Sequence, residues 1–337
     1  MLNFDPERYL AVENGAAQLA GPINAAIKAE LDAGMRNIAF WGAGGVAFLT
    51  LPAVRLLQTR SSFPTIHDMA AEVVLTDNVN VGEGTLVVFP SVSGTTKEAI
   101  AALEFARAKG ARVLTLTGKA GTPLAELADI NFQNDCADPT SSENFYLQTL
   151  FIALSIMHHR GELPEYDRIV AELQALPALL VGVKEQFESR AESFADEVAG
   201  EQHHIVTGAG NVWYEAWYYA MCILEEMQWI WTRPVHASDF FHGTLELLES
   251  DTSVWLVKGE DECRPLAERV ERFAPTVTSK LRVFDTRDFA LPGISEDVRA
   301  LVSPIVIAAA FERLSVHLER ARDHDLTTRR YYKKGDF

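Results

Sequence analysis

The chain has 337 residues, 48% of them hydrophobic, and a formal charge of −17. Such a chain can bury a sizeable core in one large or two ordinary domains. Its acidic balance argues against a nucleic-acid or anionic-membrane partner, while leaving room for a local anion site. The three cysteines, Cys136, Cys222 and Cys263, are odd in number and widely spaced. They suit a reducing cytoplasm and provide neither a disulfide framework nor a zinc signature. No charged-then-apolar leader opens the chain, and no apolar run reaches about 18 residues, so neither export nor a membrane span is expected.

In chain order, the first 35 residues read as helical, with an alanine-rich amphipathic run over 16–31. A short strand over 37–41 leads into Gly42-Ala43-Gly44-Gly45. The next strand covers 86–89, and a helix over 97–109 carries Ala99, Ile100, Leu103 and Ala106 at helical spacing. Gly110 ends it, and 112–116 is again a strand. A long apolar helix over 143–159 follows, then two helices within 163–200, broken near Pro177. The second half repeats the alternation. It has strands over 204–207, 253–257 and 281–284, helices over 214–231 and 263–273, and a last helix over 304–322. Alternating strands and helices predict an α/β fold with parallel sheets flanked by helices. The expected division is an N-terminal domain over 1–165, a helical connection over 166–200 and a C-terminal domain over 201–337.

The two halves read as an internal duplication. Gly42 matches Gly208 and Gly44 matches Gly210, and at the same spacing Val88 meets Val254 and Phe89 meets Trp255. Ser91 and Ser93 then correspond to Val257 and Gly259, so a hydroxyl-rich turn exists only in the first half.

That turn, Ser91-Val92-Ser93-Gly94-Thr95-Thr96, lies between a buried strand and a helix start. The first N–H groups of a helix have no intrahelical acceptor and attract anions. Ser91, Ser93, Thr95 and Thr96 add hydroxyl donors, and Gly94 permits close backbone approach. Without a Walker-type lysine, the expected ligand is a monophosphate. An ordinary N-capped helix would use the same residue types. The Gly42–Gly45 turn is similar to a dinucleotide loop with Ala47 at the third glycine position, but Glu72 lies too far on for a ribose contact.

Glu225 and Glu226 stand in an aromatic-rich helix end, Glu225-Glu226-Met227-Gln228-Trp229-Ile230-Trp231. A carboxylate on an apolar face is desolvated, which suits a general base near neutral pH. Helical spacing does not choose between the two. His236 and His242 lie among aromatic residues in an expected loop, where an imidazole can transfer protons. His203 and His204 precede a strand and read as structural. No helical metal motif is present.

These residues resemble the sugar isomerase (SIS) domain superfamily. The stretch 91–96 matches its S-x-S-G-x-T phosphate loop. Glu226 and His242 are 16 positions apart, like the catalytic Glu and His in the isomerase half of glucosamine-6-phosphate synthase. Glu226-Met227-Gln228-Trp229-Ile230, Phe240-Phe241-His242-Gly243 and Leu326-Thr327-Thr328-Arg329-Arg330-Tyr331 make the chain most similar to the fructosamine 6-phosphate deglycases. The resemblance implies two tandem doubly wound SIS domains. It also implies a homodimer with sites near the subunit interface and a His-bearing loop shared between subunits. No metal or other cofactor is implied. Three departures stand out: Val46 replaces the Ser that usually ends the first glycine loop, Asp239 replaces Glu, and Thr244 replaces Pro.

The activity implied is cleavage of a 6-phosphofructosyl amino acid to glucose 6-phosphate and the free amino acid. Glu226 and His242 would be catalytic, and Ser91, Ser93, Gly94, Thr95 and Thr96 would bind the phosphate. Gly44, Gly45, His236, Arg329, Arg330 and Tyr331 are further substrate-site candidates. A phosphosugar isomerase or amino-sugar phosphate deaminase would share the loop and base. A non-catalytic sugar-phosphate sensor would need only the loop.

Overall fold

The computed structural model describes residues 1–136, 142–332 and 334. The chain divides into two compact units, residues 5–178 and residues 1–4 with 179–337.

The N-terminal unit holds five strands: β1 (Asn37–Gly42), β2 (Thr65–Met69), β3 (Thr85–Ser91), β4 (Arg112–Thr117) and β5 (Ile130–Gln133). All neighbours pair in parallel, in the order β2-β1-β3-β4-β5. Every residue of β3 is buried, as expected of a central parallel strand covered on both faces. The helix Lys97–Ala108 buries Ala99, Ala102, Leu103 and Ala106 in a core that includes Val87, Phe89 and Leu124. From β1 the chain winds outward to β2 and then returns to β3 on the other side. The carboxyl ends of β1 and β3 therefore flank a topological switch point, where open α/β sheets bind ligands. The Gly42–Gly45 and Ser91–Thr96 turns both leave the sheet there. Edge strands β2 and β5 escaped the sequence reading because their half-exposed residues alternate with polar ones and form no apolar run.

The C-terminal unit holds β6 (His203–Gly208), β7 (Trp231–His236), β8 (Val254–Lys258) and β9 (Leu281–Asp285), parallel in the order β7-β6-β8-β9. This is the winding of β2-β1-β3-β4 again, and the turn glycines agree in conformation, with φ of 66° at Gly44 and 67° at Gly210. The strand register shifts the match by one residue after the first strand. Ala39 faces Val87, whereas Ile205 faces Val254. Ser91 and Ser93 thus correspond to Lys258 and Glu260 rather than to Val257 and Gly259. Hydroxyls are absent from the second copy either way, and Lys258 is committed to ion pairs with Glu271 at 2.7 Å and Asp285 at 3.2 Å.

Several helix boundaries differ from expectation. Tyr166–Val198 is one helix with Pro177 inside it. Buried Leu173, Leu176, Leu180 and Val183 along its length hold it together despite the lost N–H of the proline. The last long helix starts at Glu296 and runs through Pro304 to Arg322. By length and composition alone it could cross a bilayer, but 89% of the relevant stretch is buried within the protein, as in the core helix of a globular domain. The helix expected over 214–231 ends early, because Trp231 opens β7. Cys136, Cys222 and Cys263 remain thiols.

Candidate active site

The phosphate-loop candidates form a preorganised turn. The Gly94 N–H donates to Ser91 Oγ at 3.0 Å, and the Thr95 N–H and hydroxyl donate to Ser93 Oγ at 3.4 and 3.2 Å. Ser91 is buried, Ser93 and Thr96 are half-buried, and Thr95 is exposed. Thr96 is the N-cap of Lys97–Ala108 but makes no capping bond with its side chain. The N–H groups of that helix's first turn are therefore left for an outside acceptor. Gly94 has a φ of +63°, and a Cβ there would come within 2.2 Å of Thr122 Oγ1. Thr122 itself caps the helix Pro123–Leu127, accepting from the Ala125 N–H at 3.4 Å.

The neighbouring glycine turn is built differently. A Cβ on Gly42 would sit 2.6 Å from the Ala47 backbone, so only glycine allows this tight return. Gly45–Phe48 is a helix of a single turn. A dinucleotide loop would need a longer aligned helix to supply its dipole. Val46 is half-buried, while Gly44 is exposed.

Glu226 follows a π-helix, Tyr219–Glu225, and its own N–H bonds five residues back to the Met221 carbonyl at 3.1 Å. The turn ends at Trp229, which has a φ of +55°. A π-bulge and a left-handed bulky residue are both costly local geometries that concentrate at functional sites. Residues from much later in the chain hold the turn in place. Gln228 Nε2 donates to the His324 carbonyl at 2.8 Å, and Arg322 donates to the Gln228 carbonyl at 3.3 Å. Trp229 packs edge-on against His324 and beneath the Arg330 guanidinium at 3.9 Å.

The Glu226 carboxylate faces a guanidinium instead of the apolar wall expected from its helical neighbours. Arg329 Nε donates to Glu226 Oε1 at 2.9 Å, with the two side chains 16% and 35% exposed. Glu225 is exposed and accepts from the Thr232 hydroxyl, so the structure distinguishes the two carboxylates where spacing did not. Both line a groove of about 500 Å³ with Trp229, Trp231, Tyr331 and Tyr332, and with Arg329 and Arg330. Cys222, one turn before Glu226, is no nucleophile: burial, then the charge of Glu226, push its thiol well above the ordinary range.

The histidines separate by environment. His242 is exposed at the end of a short 3-10 turn, Asp239–His242, and is not among the residues lining the Glu226 groove. His236 ends β7 rather than lying in a loop. Its Nδ1 accepts from the Ser238 N–H at 3.2 Å and lies 2.7 Å from Ser238 Oγ, and its ring meets Trp213 edge-on. His204 is structural, as expected: it bonds Ser253 Oγ at 2.7 Å, and burial lowers its pKa to about 4. Trp231, Thr232 and Tyr332 were missed as groove residues. Trp231 and Thr232 were hidden by the misread helix end, while Tyr332 adjoins a tail motif already singled out.

A family model described as SIS domain matches residues 33–158, the region carrying both switch-point turns. The chain is 29% identical over 307 residues to fructosamine deglycase FrlB of Bacillus subtilis, covering 89% of this chain and 92% of that protein. It is 27% identical to fructoselysine 6-phosphate deglycase of Escherichia coli K12, covering 73% of this chain and 70% of the relative. A crystal structure of a candidate phosphosugar isomerase from Bacillus subtilis superposes with a TM-score of 0.87 at 28% identity, over 95% of this chain and 99% of that one. Residues 33–158 thus match a SIS domain, and the chain as a whole is similar to fructosamine deglycases over most of its length.

Proposed function

We infer that the protein cleaves 6-phosphofructosyl amino acids to glucose 6-phosphate and a free amino acid. The observation that carries this reading is Glu226. It is a solvent-reachable carboxylate fixed by a π-turn and a left-handed tryptophan in an aromatic, cationic groove. A sensor that only binds a phosphosugar would have no use for such a base, and the relatives named deglycases supply the substrate class.

In this reading Ser91, Ser93, Thr95, Thr96 and the N–H groups around Gly94 bind the phosphate. That anchor contributes binding and alignment rather than chemistry. Glu226 takes a proton from C1 of the open-chain ketosamine, giving the enaminol, and returns it to C2. The product is the Schiff base of glucose 6-phosphate, which water hydrolyses to the aldehyde and the free amine. His242 assists ring opening or moves protons between the sugar oxygens, and no metal or other cofactor takes part. Gly44, Gly45 and His236 are further substrate contacts. The proposal includes a cytoplasmic homodimer in which the exposed His242 loop serves the partner's site.

The test is a coupled assay for glucose 6-phosphate released from a panel of 6-phosphofructosyl amino acids. Release from at least one member is expected. A folded enzyme that binds phosphosugars yet releases nothing from any member overturns the reading.

A further inference from the structure

We propose that Arg329 selects substrates whose amine bears a carboxylate next to the reacting nitrogen, exchanging its bond to Glu226 for one to that carboxylate. The inference rests on the deglycase reading and names the part of the substrate that reading leaves open.

The guanidinium is held in place from behind. Nη1 donates to the Leu326 carbonyl at 2.6 Å and to the Thr328 carbonyl at 3.1 Å, and Lys334 Nζ donates to the Arg329 carbonyl. The segment is itself anchored, because Leu326 is buried and its N–H donates to Glu319 at 3.4 Å. Nε meets Glu226 at 2.9 Å, while Nη2 donates to no described residue, and the side chain lines the groove. A planar fork with one nitrogen on the base and another bonded to no described residue, in a side chain that lines the groove, is suited to take up a second carboxylate.

Reach fixes which carboxylate. A base that takes the C1 proton comes within about 3 Å of it, so a guanidinium bonded to that base lies only a few ångströms further. In an adduct through the α-nitrogen the carboxyl carbon is three bonds from C1, roughly 3 to 4 Å away. In an adduct through a lysine ε-nitrogen it is seven bonds away, up to roughly 9 Å when extended, and folding it back costs the freedom of several rotatable bonds. The first holds a carboxylate beside the base, where Arg329 already sits, at no such cost. The exchange also has a chemical use. The resting bond occupies Oε1 of the base, and a substrate carboxylate that draws the guanidinium away frees that oxygen for the C1 proton. Trp231, Tyr331 and Tyr332 then flank the amino-acid side chain without demanding a particular charge.

The experiment compares kcat/KM for 6-phosphofructosyl-glycine, its neutral glycinamide counterpart and ε-linked 6-phosphofructosyl-lysine, in wild type, Arg329→Gln and Arg329→Lys. Wild type is expected to favour the glycine adduct over the other two by about 10- to 100-fold, the worth of one charge-assisted contact. Arg329→Gln levels the glycine-to-glycinamide ratio, and Arg329→Lys restores part of it. Equal wild-type rates on the glycine and glycinamide adducts overturn the inference and leave the deglycase reading standing, as does a ratio that survives in Arg329→Gln. Failure of wild type to release glucose 6-phosphate from any adduct overturns the deglycase reading and this inference with it. Equal wild-type rates on the two adducts overturn the inference even where a variant does not fold.

Discussion

Replacing Gly94 with alanine puts the phosphate-loop assignment at risk in a measurable way. A Cβ at this position would stand 2.2 Å from Thr122 Oγ1 and 2.5 Å from Thr122 Cβ, below the 3.0 Å that real Cβ contacts respect. Thr122 cannot simply turn aside, because its Cβ is part of the clash and its hydroxyl caps the next helix. The Leu124 N–H also bonds the Gly94 carbonyl at 3.2 Å, tying the two segments together. Relief therefore requires about 1 Å of loop displacement, a shift that costs on the order of 10² in rate when it misplaces a bound substrate. That factor is about 2.7 kcal/mol of transition-state stabilisation. The positive φ adds about 1 to 2 kcal/mol against folding for any residue with a Cβ. A coupled glucose 6-phosphate assay should show kcat/KM for a 6-phosphofructosyl amino acid falling about 100-fold, with a native far-ultraviolet spectrum and a modestly lowered Tm. The unphosphorylated fructosyl amino acid should lose almost nothing from its already low rate. A folded Gly94→Ala enzyme of wild-type efficiency on the phosphorylated substrate would refute the assignment of this loop to the phosphate.

Three further outcomes are expected. Glu226→Gln should lose on the order of 10² or more in kcat while phosphosugar binding, read by calorimetry, persists; wild-type turnover would remove Glu226 from the chemistry. Glu226→Gln and His242→Asn chains, each inactive alone, should regain activity when unfolded and refolded together, whereas full activity in a proven monomer would show that no partner is needed. Stability should be lost in acid. Burial pushes the carboxyls of Glu188, Glu201 and Asp285 up, but Arg313, Arg282 and Arg264 outweigh it and hold each at about 2. Depressed carboxyls stabilise the fold above their ordinary range and cease to do so as pH falls from about 4.5 toward 2. Urea midpoints should therefore be steady from pH 7 to 5 and drop by pH 3; an unchanged midpoint at pH 3 would discount these pairs.

The central strands were legible because burial on both faces writes them as unbroken apolar runs, as at Leu86–Phe89. The edge strands were not, since Thr65–Met69 and Ile130–Gln133 are short and interrupt their apolar residues with polar ones. The duplication was visible in Gly44 and Gly210, whose matching left-handed conformations demand glycine. Its register was not, because one inserted residue changes no composition. At the candidate site, spacing identified the segment around Glu226 but could not separate it from Glu225. That choice depends on a π-turn, which arises from packing across the unit and has no local signature. The Arg329 pairing joins positions 103 residues apart and was legible only as a tail motif of open purpose.

The fastening of the Glu226 turn has a consequence for how the enzyme comes into being. Its locking contacts come from Arg322, His324 and Arg329, between 94 and 103 positions downstream. During synthesis the base is therefore made long before the residues that hold it, and the carboxylate has no fixed address until they have emerged and docked. The N-terminal unit, with its Ser91–Thr96 turn, can be complete by then. A growing chain would thus shape that turn before its Glu226 turn is fastened.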